Sequence, residues 1–443
     1  MELPPDAAPA THVRYRVLLA LGLAVICAYL TRILAASNTT VQREFGLSYQ
    51  GMGDIIAGFA LGYFWFQIPG GWLANRLGVR IMLPAIAVLW SLCTIWMSLA
   101  TTGFELQASR IAVGLAQAGL MPCCAKVLGD WFPDRQRGMA SAIMGASMGI
   151  GGVLATGLTA ALLPVVGWRN VFLLYSYLGL AWSYAFYRWF RNTPADQPST
   201  NEAERRLIKP EMPRAADATP ELAAEDGSSA RLLVVAMITS SSMWTICSMG
   251  FFRAFAHDIF NTWFPAYLEK GRHVKLVESG LLAAMPLIAA GVGNLFGGWL
   301  VDWLLRRTGS KWISRSGTAT VALTLTASCM LAAAWASDPT LAVAIISCGS
   351  FFSGFAGPVN WAVTLDVSGK HIAVVFGIMN LIGNVGSYTC AIAVGHLFDY
   401  IELRDADWNL VLYLFVAANL AGAVSAALMN PNRSAVKRGL VES

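Results

Sequence analysis

Twelve stretches of this chain run for about twenty residues each with almost no charge, and a helix of that length crosses the roughly 30 Å hydrocarbon core of a bilayer. They fall at approximately 17–36, 52–73, 82–100, 107–130, 139–163, 170–188, 243–267, 279–301, 317–336, 341–365, 373–398 and 409–428. Inside hydrocarbon every backbone N–H and C=O has to be satisfied within the segment, which leaves the helix as the available form. The chain is therefore expected to be an all-α polytopic membrane protein. Its composition agrees, since 13% of the 443 residues are charged and 56% are hydrophobic. A soluble domain carries about 25% charged residues.

The net charge of +5 does not point to nucleic acid, because the cations collect in the connections between spans. With both termini in the cytoplasm, Arg14, Arg16, Arg76, Arg80, Arg135, Arg137, Arg306, Arg307, Lys311, Arg315 and Lys370 share one side. The opposite connections hold few, among them Arg43, Arg169 and Lys270. That asymmetry is the positive-inside pattern and predicts a multi-pass inner or plasma membrane protein with cytoplasmic termini. The eight cysteines are scattered without metal-ligand spacing and read as small apolar fillers, so no metal or cofactor is expected.

From Arg191 to about Ala230 the composition turns to Pro, Glu, Asp, Ala and Ser, as in a solvated cytoplasmic linker. It divides six-helix halves at 1–190 and 231–443. Arg231–Ser242 is apolar but short, suited to lying along the membrane surface.

The halves repeat. Gly70-Gly71-Trp72-Leu73-Ala74-Asn75-Arg76 leads to Arg80 at the end of the second span. Gly297-Gly298-Trp299-Leu300-Val301-Asp302 leads to Arg306 and Arg307 at the end of the eighth. Recurrence six spans apart is the mark of a duplicated transporter. These two loops resemble the signature of the major facilitator superfamily, with Asn75 where the motif usually has Asp. That leaves the carboxylate gating role assigned to Asp302 in the second copy alone. Tyr29-x-x-Arg32, Gln67-Ile68-Pro69-Gly70-Gly71-Trp72, Trp131-Phe132-Pro133, Asn192-Thr193-Pro194, Glu204-Arg205-Arg206, Trp263-x-Pro265 and Asn380-x-x-Gly383-Asn384 follow in an order that resembles its anion:cation symporter family. The resemblance covers nearly the whole chain and implies alternating access by a monomer, with a small organic anion and protons as the expected partners.

Arg32 is the only charge in the first run, and a guanidinium cannot discharge in lipid. It reads either as an anion-binding cation or as an arginine held by neighbouring helices, and the resemblance implies a substrate carboxylate. Tyr29 shares its face, and the resemblance places Tyr63 at the substrate too; a core aromatic is the other reading of Tyr63. Arg110 and Gln117 are two turns apart. The resemblance implies carboxylates at Thr31 and Gln117; neither residue here can carry a proton near neutrality.

Arg253 and His257 share a face of the seventh span; the resemblance implies a second substrate cation at His257, with Arg253 and Arg110 in gating or structural roles. His257 is also the candidate proton carrier, because imidazole titrates near neutrality. Asn380 could bond substrate hydroxyls or join helices. Asp366, beside Lys370, reads as a gate or surface pair, and Lys126–Asp130 as an interfacial pair. The sequence holds no metalloprotease, nucleophile-elbow or phosphate-loop motif, which argues against an enzyme or an ATP-driven pump. A receptor that kept the carrier fold, an exchanger or uniporter without proton coupling, and a multidrug-type exporter remain as alternatives. Buried arginines disfavour an exporter of cations.

Overall fold

A computed structural model describes residues 9–208, 240–368 and 372–431. Every regular element among them is a helix. In order these are α1 (Val13–Arg32), α2 (Asn38–Phe45), α3 (Tyr49–Leu77), α4 (Val79–Leu99), α5 (Gly103–Gln117), α6 (Leu120–Trp131), α7 (Asp134–Trp189) and α8 (Glu202–Ile208). After them come α9 (Ser241–Thr262), α10 (Phe264–Gly271), α11 (Leu276–Thr308), α12 (Thr318–Ala334), α13 (Pro339–Gly354), α14 (Ala356–Ser368), α15 (Ile372–Arg404) and α16 (Asn409–Ala427).

These helices tile the predicted spans. The long α7 contains two of them, separated at Gly167, whose φ of 76° breaks the helical run. Pairs α5–α6 and α13–α14 each make up one span interrupted by an irregular step. Nine stretches of the described residues are long and apolar enough to cross a membrane, and α3 and α9 occupy the second and seventh predicted positions. Local chemistry sets several starts. Thr102 and Glu105 form a capping box at α5, while Asp338 caps α13 ahead of Pro339.

By internal contacts the chain forms two compact units. One comprises Met1–Ile33, Leu61–Ala155 and Val165–Thr219; the other comprises Leu34–Ala60, Thr156–Pro164 and Pro220–Ser443. In the first, Leu21, Trp90, Trp131 and Phe132 are sealed in a core flanked by a stacked ladder of Trp182, Phe186 and Phe190. In the second, Ile246, Val301, Leu323, Val359 and Ala426 form the core.

Two expectations need correcting. The first apolar run is not one helix over 17–36: α1 ends at Arg32, Ile33 is extended, and a 3₁₀ turn covers Ala35–Ser37. The run after Arg191 is exposed at Asn192, Thr193, Asp196, Ser199, Glu202 and Arg206, but its described part is not free in solvent throughout. Gln197, Thr200, Glu204 and Ile208 are all buried, because this segment packs back on the start of α1. Residues 209–239, including most of the expected linker and the first nine of Arg231–Ser242, lie outside the described residues.

Within the second unit, Leu34–Ala60 is fastened by polar contacts. The Asn38 amide donates to the Thr262 carbonyl, and Glu269 accepts from Thr39 Oγ1 at 2.7 Å and Arg43 Nη2 at 2.6 Å. Asp399 receives the first N–H groups of α3, from Tyr49 and Gln50, and the Tyr49 hydroxyl donates to Glu402 at 2.7 Å. Here α3 and α15 approach so closely that a Cβ on Gly53 would lie 2.8 Å from the Ala391 carbonyl oxygen. One on Gly395 would lie 2.7 Å from the Tyr49 carbonyl oxygen. Gly→Ala in a helix otherwise gains up to about 1 kcal/mol, whereas overpacking costs about 1–3 kcal/mol. Gly53→Ala is therefore expected to lower the unfolding temperature of the purified protein. Gly149→Ala, where the added methyl meets open space, is expected to hold or raise it; thermal unfolding in detergent compares the two signs.

Candidate functional site

The site residues of the first unit gather where α1 ends. Thr31 Oγ1 donates to the Ala28 carbonyl at 2.9 Å. Gln117 Nε2, arriving from α5, donates to the same carbonyl at 3.1 Å and to Thr31 Oγ1 at 2.9 Å. Thr31 and Gln117 are fully enclosed. The two positions where the family resemblance implies carboxylates are thus joined as a closed, neutral network. Side-chain bonds to a carbonyl one turn back bend helices, and the helix stops one residue after Thr31.

Arg32 is that stop. The last carbonyls of a helix favour a cation, and two aromatic rings flank it: its guanidinium carbon is 5.3 Å from the Tyr29 ring centre and 5.4 Å from that of Tyr63. Both distances are within cation–π range. Tyr63 is buried, and Tyr29 packs so tightly on α7 that a Cβ at Gly151 would be 2.7 Å from its own. The tyrosines therefore flank Arg32 on rigid supports. Arg110 is enclosed on α5, two turns from Gln117.

The second unit holds the remaining candidates. Arg253 and His257 lie one turn apart on α9, both half-buried. Arg253 Nε is buried with no hydrogen-bond partner among the described residues. The His257 ring meets Phe260 edge-on at 6.1 Å. Asp258 accepts from Asn261 on the next turn. Helix α15 packs on the same stretch of α9, with Gly383 against Ala254 and Gly386 against the Phe251 carbonyl. Asn380 is exposed, whereas Asn384 spends its amide on the Asn380 carbonyl at 2.8 Å. Two asparagines carried no motif that would have found them. Asn294 of α11 lies against Gly357, and Asn360 of α14 has a buried carbonyl oxygen with no partner among the described residues.

The expected gating residues sort by environment. Arg80 donates its backbone N–H to Asn192 Oδ1 at 2.8 Å and lies 5.2 Å from the Tyr187 ring centre. Arg76, Asp302 and Arg306 are exposed, and the side chain of Asn75 lies outside the described residues. Asp366 pairs with Lys311 at 2.8 Å and Arg315 at 3.2 Å, and Lys370 lies outside the described residues. Lys126 and Asp130 form their expected pair at 3.5 Å. Among the described residues no group of three or more His, Cys, Asp or Glu is placed to hold a metal.

Gln117→Glu tests the neutral network. A carboxylate cannot donate to the Ala28 carbonyl, whereas a protonated carboxyl can, so folding favours the protonated form. The variant should come nearest to wild type at pH values below the ordinary glutamate range of about 4.3, short of one donated bond, and lose further stability as pH rises above it. Thermal unfolding across pH, referenced to wild type, measures the slope.

Similarity to known proteins covers almost the whole chain. A probable sulfoacetate transporter of Cupriavidus necator is 25% identical over 422 residues, 94% of each chain. A D-galactonate transporter of Escherichia coli O6:H1 is 26% identical over 444 residues, covering 97% of this chain and 98% of the relative. A probable galactarate/D-glucarate transporter of Bacillus subtilis is 28% identical over 441 residues, 96% of this chain and 93% of the relative. In fold the chain matches an inward-facing, unoccupied bacterial homologue of the human lysosomal transporter Spinster, with TM-score 0.72, 18% identity and 95% coverage of both chains. The Major Facilitator Superfamily model matches residues 21–387. Repeated glycine-basic loops, helical spans and the sequence match agree, and the chain is a multi-pass membrane protein belonging to the Major Facilitator Superfamily.

Proposed function

We propose that this protein is a secondary active transporter of small organic anions of the sugar-acid type, working by alternating access as a monomer. The observation that carries the reading is Arg32, a permanent cation at the end of α1 flanked by Tyr29 and Tyr63. A guanidinium binds a carboxylate through two parallel N–H bonds, and the flanking tyrosines suit a hydroxylated anion. Its relatives carry the names of transporters of galactonate, galactarate or glucarate, and sulfoacetate, all anions. Those names are of transporters and not of enzymes. We assign both termini to the cytoplasm on the cation asymmetry, with six-helix halves at 1–190 and 231–443.

Coupling has two readings. In the first, His257 takes up a proton beside Arg253, and the bound anion supplies the counter-charge; Asp258 is the competing proton carrier. Proton and anion then bind cooperatively, as symport requires. The second reading is anion exchange or uniport without protons, favoured by the neutral Thr31–Gln117–Ala28 network.

Counterflow in proteoliposomes against D-galactonate, D-glucarate, galactarate and sulfoacetate tests the substrate class. Exchange of at least one is expected, and exchange of none, in protein that is folded, overturns it. For the carried anion, Arg32→Ala is expected to abolish binding, and Arg32→Lys to weaken it by about 10-fold or more, since one ammonium cannot reproduce a bidentate contact. Equal affinity in wild type and Arg32→Ala removes Arg32 from the site. An inward-acidic gradient separates the coupling readings. Under symport, wild type concentrates the anion and His257→Gln retains only exchange; under the second reading, wild type ignores the gradient.

A further inference from the structure

The start of α1 is capped from α8, across 190 residues of sequence. No side chain of its own caps α1. Instead, Glu204 of α8, wholly buried, accepts from the backbone N–H groups of Val13 and Arg14, each at 3.1 Å, and from Thr11 Oγ1 at 2.5 Å. It also pairs with Arg14 Nη1 at 2.9 Å. Arg14 is itself buried and reaches Gln136 of α7 with Nε at 3.3 Å. In return Asn201 Oδ1 accepts from the Glu204 N–H, capping α8, and from the Thr11 N–H; Asn201 Nδ2 donates to the Pro9 carbonyl.

We propose that Glu204 is a positioning residue for the anion-binding end of α1. Three features point there. Two first-turn N–H groups of α1 depend on a carboxylate from outside the helix. Arg14 is buried, so without Glu204 a charge is left unpaired inside protein. And α1 is a single uninterrupted helix of 20 residues from this clamp to Arg32, about 30 Å of stiff rod that carries a tilt or rotation from one end to the other. Nothing in the polar composition of 191–208 marks this role. The reading of Arg32 as the carboxylate-binding cation is assumed.

Cys27, half-buried on α1 against the core one turn before Thr31, reports helix position without any substrate. The experiment uses purified full-length protein in proteoliposomes: labelling of Cys27 by N-ethylmaleimide, followed by peptide mass spectrometry, beside the half-saturating concentration for D-galactonate uptake. Glu204→Ala is expected to change the Cys27 labelling rate by about threefold or more. It should also raise the half-saturating concentration by about tenfold, with maximal rate less affected, because small displacements of a binding group cost affinity steeply. Glu204→Gln, which keeps oxygen acceptance but not charge, should fall between Ala and wild type. If Glu204→Ala does not fold, Asn201→Ala removes the reciprocal bonds and is measured the same way. Wild-type labelling in the folded variants overturns the proposal. Altered labelling in a protein that carries no anion upholds the clamp and overturns the transport reading instead.

Discussion

A guanidinium keeps its charge at any pH the cell offers, and a membrane interior gives it few places to rest. Much of this structure is arranged around that constraint, and the solution differs with position. Arg14 and Arg315, at the ends of helical spans, meet carboxylates, Glu204 and Asp366. Arg272 is held by the carbonyls of Ala333 and Ala336, by Asn409 Oδ1 and by the Tyr267 hydroxyl. Arg32 lies beside aromatic rings, and Arg253 keeps a buried Nε with no hydrogen bond among the described residues. Carboxylate-paired arginines are anchors. Arg32 sits between two ring faces at the end of the helix that opens the chain, which is why the functional reading centres on it.

The sequence shows where residues want to be more readily than what they hold. Twelve apolar runs were legible because burial in lipid acts on every residue of a span alike. The break after Arg32 was not, because it depends on Gln117 arriving from 85 positions further on to share the Ala28 carbonyl. The burial of Glu204 within a segment read as solvated was hidden for the same reason. Its residues are polar, and polar residues signal solvent unless a distant chain supplies their partners. Glu204 did stand in the family-like pattern, but a pattern records that a residue recurs and not which N–H groups it receives. The fastening of Leu34–Ala60 was hidden similarly, since Glu269, Asp399 and Glu402 look like ordinary surface acids until Thr39, Arg43 and Tyr49 are set against them.

The substitutions at Thr31 and Gln117 illustrate how a departure from a family pattern is absorbed. Two carboxylates facing each other would share a proton or repel. A hydroxyl and an amide instead complete a set of bonds, with the amide donating twice and the hydroxyl once, and no charge to be managed. The helix junction gains order, and the junction itself cannot load or release a proton. Any response to protons then has to come from another group, and α9 carries a titratable imidazole and a titratable carboxyl, His257 and Asp258.

The two ends of α1 follow one electrostatic rule with opposite signs. Aligned peptide dipoles leave about half a positive charge at a helix start and half a negative charge at its end. In α1 the start carries the buried carboxylate of Glu204 and the end carries the guanidinium of Arg32. Each charge lies where the helix itself favours it, so the helix offsets part of the cost of burying Glu204 and half-burying Arg32. That arrangement favours a cation at the end of α1 over any neutral residue even before an anion arrives. It also means the Arg32 guanidinium is held by the axis of the helix as much as by its tyrosine neighbours, and whatever fixes that axis at its far end shares in placing Arg32.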